Sequence, residues 1–216
     1  MIFRYKKTTV NHKGKEYTIC VPKYEFTKNT FLNELNTKDF YIVSSNTDHK
    51  ELSDAMHFIA EHKDIILYIP FSKNKNPFLG NARPYMPPQL DLVCVHHSMQ
   101  FRQKEWKEIR NKIKNNFVNC NFDIDDKELP HYCWSDFFKS ENNDYIDIYK
   151  NFSTLIITGS SKTFNFIADR AFELSQYKYN DVYFEHEHLS ELFKRTDKKQ
   201  EWREVSLYLI DKIENY

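Results

Sequence analysis

The chain has 216 residues, and its 31 lysines and arginines are balanced by 31 aspartates and glutamates. The length suffices for one good core or two small domains, and zero net charge is not typical of proteins dedicated to nucleic-acid binding. Only three glycines are present and no phosphate-binding glycine loop occurs, so we expect no bound cofactor.

Targeting and redox features predict a cytoplasmic protein. The segment that begins Met1-Ile-Phe-Arg-Tyr5 lacks the basic and apolar regions of a signal peptide, and no apolar run approaches the ~20 residues of a membrane helix. The four cysteines are widely spaced, which predicts reduced thiols. The sequence therefore predicts no membrane partner and argues against a nucleic-acid partner.

A hairpin, two further strands and one helix are predicted in residues 1–70. Gly14 lies in a polar turn between two strand-like runs, which is typical of a hairpin. Asp48 followed by Glu51 resembles a capping box, and the apolar spacing after it predicts a helix over 48–61. The predicted strands are Ile2–Tyr5, Tyr17–Val21, Phe40–Val43 and Ile65–Ile69.

Residues 72–89 are a long connection rich in proline. Its four prolines and one glycine exclude regular structure. Connections of this length inside compact domains are often functional, so Arg83 and Tyr85 are candidates for contacts with a partner. A plain surface excursion is the alternative interpretation.

The middle of the chain places a strand, a polar pair and a helix in succession. The apolar run Leu90–Val95 predicts a strand that ends at His96-His97-Ser98. Apolar residues then recur at helical spacing and predict a helix over 102–117. The acidic loop that follows, with its aromatic neighbours, is either a solvated loop or a partner-binding surface formed by Asp123, Asp125, Asp126 and Trp134.

The clearest module lies near the C-terminus. The β-branched run Ser153–Thr158 is followed by Gly159 and by a helix over 161–176, which Ser160 or Ser161 can cap. Its apolar stripe consists of Phe164, Ile167, Ala168, Ala171 and Phe172. Two further runs predict a strand and a strand or short helix, at Val182–His188 and Val205–Ile210.

These elements predict an α+β fold with a mixed, largely antiparallel sheet and about three packed helices. Residues 1–140 are predicted to form an N-terminal α/β part, and residues 141–216 a C-terminal β-α-β module packed on it. The polar stretch Ser140–Asp144 marks the boundary. A single domain is the alternative.

Two His-x-Ser triplets are the first candidate for chemistry, at residues 96–98 and 188–190. The pattern resembles the two-histidine phosphoesterases, in which one histidine acts as a base, the other as an acid, and hydroxyls bind phosphate oxygens. The resemblance implies an enzyme whose site combines His96, His97, Ser98, His188 and Ser190.

The second candidate is a metal half-site in the predicted strand that ends at His188. Alternate residues of a strand point to the same face, so His186 and His188 would supply two ligands. No further ligands stand at a recognisable spacing. We therefore expect a histidine pair on a sheet and no metal.

The C-terminal third resembles immunity proteins that neutralise bacterial polymorphic toxins. The features that carry the resemblance are Thr154-Leu-Ile-Ile-Thr-Gly-Ser160, the helix after it, Phe184-Glu-His-Glu-His-Leu189 and Val205-Ser-Leu-Tyr-Leu-Ile210. The resemblance implies a non-enzymatic inhibitor, of bacterial or phage origin, that neutralises a toxin or a defence enzyme by surface complementarity. We prefer this function to the enzyme and expect a protein partner with a basic surface.

Overall fold

The computed structural model describes residues 2–23, 30–34, 39–74, 89–114, 116–123, 144, 146–177, 186–188 and 204–209. Within these ranges the chain forms eleven strands and three α-helices. The strands are β1 (Ile2–His12), β2 (Lys15–Pro22), β3 (Phe31–Glu34), β4 (Asp39–Ser44), β5 (Ile65–Ile69), β6 (Asp91–His96), β7 (Val118–Asp123), β8 (Ile146–Asn151), β9 (Thr154–Gly159), β10 (His186–His188) and β11 (Glu204–Leu209). The helices are α1 (Asn46–Glu61), α2 (Trp106–Arg110) and α3 (Ser161–Gln176).

The strands form two sheets. The large sheet has seven strands in the order β7-β1-β2-β5-β6-β9-β8, and the small sheet has four in the order β10-β11-β4-β3. Neighbouring strands are antiparallel except in the pairs β2–β5, β6–β9 and β4–β11. The predicted α+β class with a mixed, largely antiparallel sheet is therefore confirmed.

The core lies on both faces of the large sheet. Every residue of β6 is buried, and because successive side chains of a strand alternate, Leu92 and Cys94 face one cluster while Val93 and Val95 face another. The first cluster unites the large sheet with α1, α3 and the small sheet. The second is closed by α2 through Trp106. The large sheet is thus covered on both sides.

Helices α1 and α3 pack against each other and are held at their ends by side chains. Ser45 begins α1 as its N-cap, accepting the N–H of Asp48, so the helix starts two residues before the predicted Asp48. The amide of Asn46 donates to the carbonyl oxygens of Leu174 and Tyr177 at 3.3 and 2.9 Å, which ties the start of α1 to the end of α3. Both helices confirm the predicted spans to within two residues.

The predicted helix over 102–117 is wrong in length. Only Trp106–Arg110 are α-helical, preceded by a 3-10 turn over Gln103–Glu105. After Arg110 the backbone closes tighter turns, with the N–H of Lys112 bonded to Ile109 O. The apolar spacing continued in the sequence because Ile113 and Phe117 pack as half-buried residues at the margin of the outer cluster before β7 begins.

The C-terminal module is divided between the two sheets. β9 pairs with β6 in the large sheet, whereas β10 and β11 lie in the small sheet, where β11 pairs with β4. The run near residue 205 is thus a strand, and residues 181–185 of the predicted run before His188 lie outside the described residues. Both parallel pairs join the predicted parts 1–140 and 141–216.

Gly159 ends β9 where little room is left for a side chain. A Cβ at this position would lie 3.0 Å from Cγ2 of Thr163, which is itself fully buried. We expect Gly159→Ala to lower the free energy of unfolding by about 1–2 kcal/mol, since overpacking strains a close-packed site. Urea melts measure the loss. Thr163→Ser in the same background removes Cγ2 and should restore part of the stability; no recovery would assign the loss to another cause.

Candidate functional site

Two neighbouring parallel strands of the large sheet end beside the start of α3. His96 ends β6, and its register partner is Gly159, which ends β9. The chain then leaves β6 through a 3-10 turn over His97–Met99 and leaves β9 through Ser160, the N-cap of α3. The carboxyl ends of parallel strands beside a helix start are a common position for ligand sites in α/β proteins. This juxtaposition brings the first His-x-Ser triplet to the N-terminus of α3.

The His96 ring is buried, with 4% of the residue exposed, and lies between two backbone N–H groups. Its Nε2 is 3.1 Å from the nitrogen of Ser161, and its Nδ1 is 3.2 Å from the nitrogen of Ser98. A neutral imidazole has only one acceptor nitrogen. The Ser98 hydroxyl, 2.7 Å from Nδ1, can accept a proton held there. The tautomer that fits carries its proton on Nδ1, and Nε2 accepts the N–H of Ser161.

The surroundings of His96 keep its ring neutral. Burial lowers the pKa of His96 to about 4, and the nearby His97 and Lys63 lower it further in the same direction. A protonated ring would have no lone pair for either backbone N–H. At neutral pH His96 is therefore a poor proton donor, and its accepting nitrogen is already used.

The N–H groups at the start of α3 have partners within the protein. Besides the bond from Ser161 to His96, the Ser160 hydroxyl accepts the N–H of Thr163 at 3.1 Å, and the N–H of Phe164 bonds to Ser160 O. An open helix N-terminus can bind an anion through these groups. Here the chain itself takes them, so His96 acts as part of the helix cap.

The second triplet is only partly described. Strand β10 holds the backbone of His186 and His188 in the small sheet, whereas His96 ends a strand of the large sheet. The side chains of both β10 histidines and the whole of Ser190 lie outside the described residues. The structure thus brings His96, His97 and Ser98 together, and the meeting of the two triplets remains a prediction. No group of three metal-binding side chains occurs in the described ranges.

The predicted partner-binding residues are represented by Asp123. It is exposed at the end of β7, which is an edge strand of the large sheet, and its register partner is Ile2 on β1. Val118, at the other end of β7, is 60% exposed. The remaining candidates, Asp125, Asp126, Trp134, Arg83 and Tyr85, lie outside the described residues.

A polar cluster between α1 and α3 was not predicted from the sequence. His57 Nδ1 lies 3.0 Å from the amide oxygen of Asn165, and the buried Asp54 is paired with Lys50 at 2.6 Å. Burial raises the pKa of Asp54, and Lys50 opposes that shift. The i,i+4 spacing of Lys50 and Asp54 was the available signal for their ion pair, whereas the contact with Asn165 joins residues 108 positions apart.

Searches of protein-family models, of curated proteins and of solved structures found no match to this chain. Among the described residues, no helix combines the length and apolar character that crossing a bilayer requires.

Proposed function

We propose that this chain is a non-enzymatic cytoplasmic inhibitor that neutralises a protein partner by binding it, as immunity proteins of bacterial polymorphic toxins do. The observation that carries the proposal is the exposed edge strand β7, which ends at Asp123 and leads into the acidic run of the sequence. The partner is a toxin or a defence enzyme with a basic surface.

The edge of β7 suits the addition of a strand from another protein. Within the described ranges no strand pairs with its outer side, so its backbone N–H and C=O groups offer a template for pairing. Edge strands are commonly protected by lysine or proline, and the sequence Val118-Asn-Cys-Asn-Phe-Asp123 contains neither. The half-buried Phe122 anchors the strand through ring contacts with Phe58 and His62, so the edge is firmly held.

Charge supports a basic partner at this edge. Asp123 is exposed, and the sequence places Asp125 and Asp126 directly after it. Exposed carboxylates increase the rate of association with a basic surface and add specificity more than affinity.

The enzymatic alternative is weakened by the role of His96. A two-histidine phosphoesterase needs imidazoles that exchange protons near neutral pH, whereas the pKa of His96 is lowered to about 4 by burial and its Nε2 caps α3. The cytoplasmic location is supported by Cys20, Cys94 and Cys120, which are free thiols.

The test begins with capture of the partner from the native host and its identification by mass spectrometry. Surface plasmon resonance then compares the unmodified chain with the triple variant of Asp123, Asp125 and Asp126 to Asn. We expect association to slow by about tenfold and its dependence on salt to flatten, since exposed charges act over roughly 8–10 Å at ordinary ionic strength.

Two further variants make this test specific. Glu16→Gln removes one exposed carboxylate from β2, away from β7, and should leave association unchanged. Val118→Arg places a cation on the exposed edge and should weaken binding of a basic partner. Equal association rates for the triple variant and the unmodified chain would remove this edge from the interface.

A further inference from the structure

The segment from residue 102 to residue 114 presents a strongly basic surface, although the whole chain is neutral. The segment contains six lysines and arginines and only two glutamates. It covers the outer face of the large sheet, where Trp106 and Ile109 are buried. We call its exposed cations the α2 surface, which consists of Arg102, Lys104, Lys107, Lys112 and Lys114.

The two glutamates are engaged by the β1–β2 hairpin. Lys13 lies 3.0 Å from Glu105 and 3.6 Å from Glu108, and the buried His12 lies 3.5 Å from Glu108. These contacts neutralise the carboxylates from within the protein. The α2 surface is thereby left with a uniform positive charge toward solvent.

An exposed aromatic ring adjoins this surface. Phe152 lies in the two-residue turn between β8 and β9, is 68% exposed, and has the ammonium group of Lys107 4.1 Å from its ring centroid. The turn is fixed to the basic segment because Asn151 donates to Gln103 O at 2.9 Å and Arg110 contacts the Ser153 hydroxyl at 3.4 Å. The ring is therefore held rigidly beside the cations while much of it remains in solvent.

The backbone at Phe152 is strained. Its φ of +53° lies in the left-handed region, which glycine and asparagine adopt readily and a bulky residue rarely does. The ring is not buried in the core, so packing does not explain why phenylalanine occupies this turn. Strain of this kind is characteristic of functional positions.

We propose that the α2 surface binds a single-stranded polynucleotide, with a base stacked on Phe152 and phosphates bound by the surrounding lysines. A flat exposed ring flanked by cations provides both contacts that single-strand binding requires. A carboxylate-rich peptide would satisfy the cations but leave the ring without a matching flat partner. The turn of Phe152 belongs to β8, at the opposite edge of the sheet from β7, so this activity is additional to the proposed inhibitor function.

The proposal is tested by fluorescence anisotropy with labelled oligonucleotides of about 20 nucleotides, as single-stranded DNA, single-stranded RNA and duplex DNA. We expect both single strands to bind at low salt and to weaken steeply between about 50 and 200 mM salt. Similar affinities for DNA and RNA would indicate stacking and phosphate contacts. A preference for RNA would assign part of the affinity to the 2′-hydroxyl group while still supporting the site.

Variants separate the two kinds of contact. Phe152→Asn fits the left-handed turn, so it should keep or raise the melting temperature while weakening single-strand binding by roughly tenfold. Replacing Lys104, Lys112 and Lys114 with Gln should lower the salt dependence by about two units of slope. The matched control replaces the exposed Lys7, Lys63 and Lys73 with Gln and should bind as the unmodified chain does.

Three outcomes would overturn the proposal. The first is no binding of either single strand at low salt. The second is an equal loss in the control lysine variant, which would indicate attraction without a defined site. The third is unchanged single-strand affinity in Phe152→Asn, which would remove the ring from the site.

Discussion

Replacing Phe164 with alanine should lower the free energy of unfolding by about 3–5 kcal/mol. Phe164 is fully buried on α3 and belongs to the cluster that unites the large sheet, both long helices and the small sheet. Removing its ring leaves a cavity that several rigid elements enclose, so the site cannot collapse to fill it. Chemical denaturation followed by circular dichroism measures the change.

Phe172 supplies the matched control on the same helix. It is only half-buried, and the ammonium group of Lys50 lies 5.3 Å from its ring centroid. We expect Phe172→Ala to cost about 1 kcal/mol, because less apolar surface is lost and water can occupy the space. If Phe172→Ala were as costly as Phe164→Ala, the two positions would be equally buried and the arrangement of α3 given above would be wrong.

The placement of Phe172 shows how far periodicity predicts a core. Its spacing from Phe164, Ile167, Ala168 and Ala171 predicted a buried residue, and those four are buried. The stripe does not predict where the surrounding elements end. Towards its C-terminus α3 buries Leu174 and leaves Phe172 partly exposed. Apolar spacing predicts which face of a helix is inward, whereas the depth of each residue depends on tertiary packing.

Strands with strong apolar runs were predicted well, and edge strands were missed. Ile65–Ile69 and Leu90–Val95 are continuous apolar runs and form central strands of the large sheet. β7 alternates weakly, with four of its six residues exposed, so its sequence resembles a loop. β3 is four residues long and pairs with β4 across a connection that apolar pattern alone does not predict. Pairings between distant segments, such as β4 with β11, have no local signal.

The candidate site was located but its chemistry was not predicted. Residues 96–98 stood out because polar groups follow a buried strand. The partner that defines the role of His96 is the N–H of Ser161, a backbone group 65 positions away. Phe152 was not predicted because a strained backbone angle leaves no mark in composition or spacing.

The pH dependence of stability should report the buried, neutral state of His96. An ordinary histidine in the unfolded chain titrates near pH 6.5, whereas the pKa of His96 in the folded protein is lowered to about 4 by burial. The folded state therefore favours the neutral ring. The stability that His96 contributes is complete above about pH 6.5 and declines as the pH falls towards 4, by roughly 2–3 kcal/mol in total.

His96→Ala should therefore lower the free energy of unfolding by about 2–3 kcal/mol at pH 7, since it empties a buried site and leaves the N–H of Ser161 without its acceptor. The difference between the unmodified chain and the variant should shrink as the pH falls from about 6.5 to 4, because the ring loses its contribution over that interval. Urea melts at several pH values measure this difference, in which all other titrating groups cancel. His97→Ala removes the neighbouring, half-buried ring and should cost about 1 kcal/mol or less at pH 7. A difference that widened in acid would mean that the folded protein favours a charged His96, which would contradict the capping role and restore the ring as a candidate acid for the phosphoesterase-like chemistry.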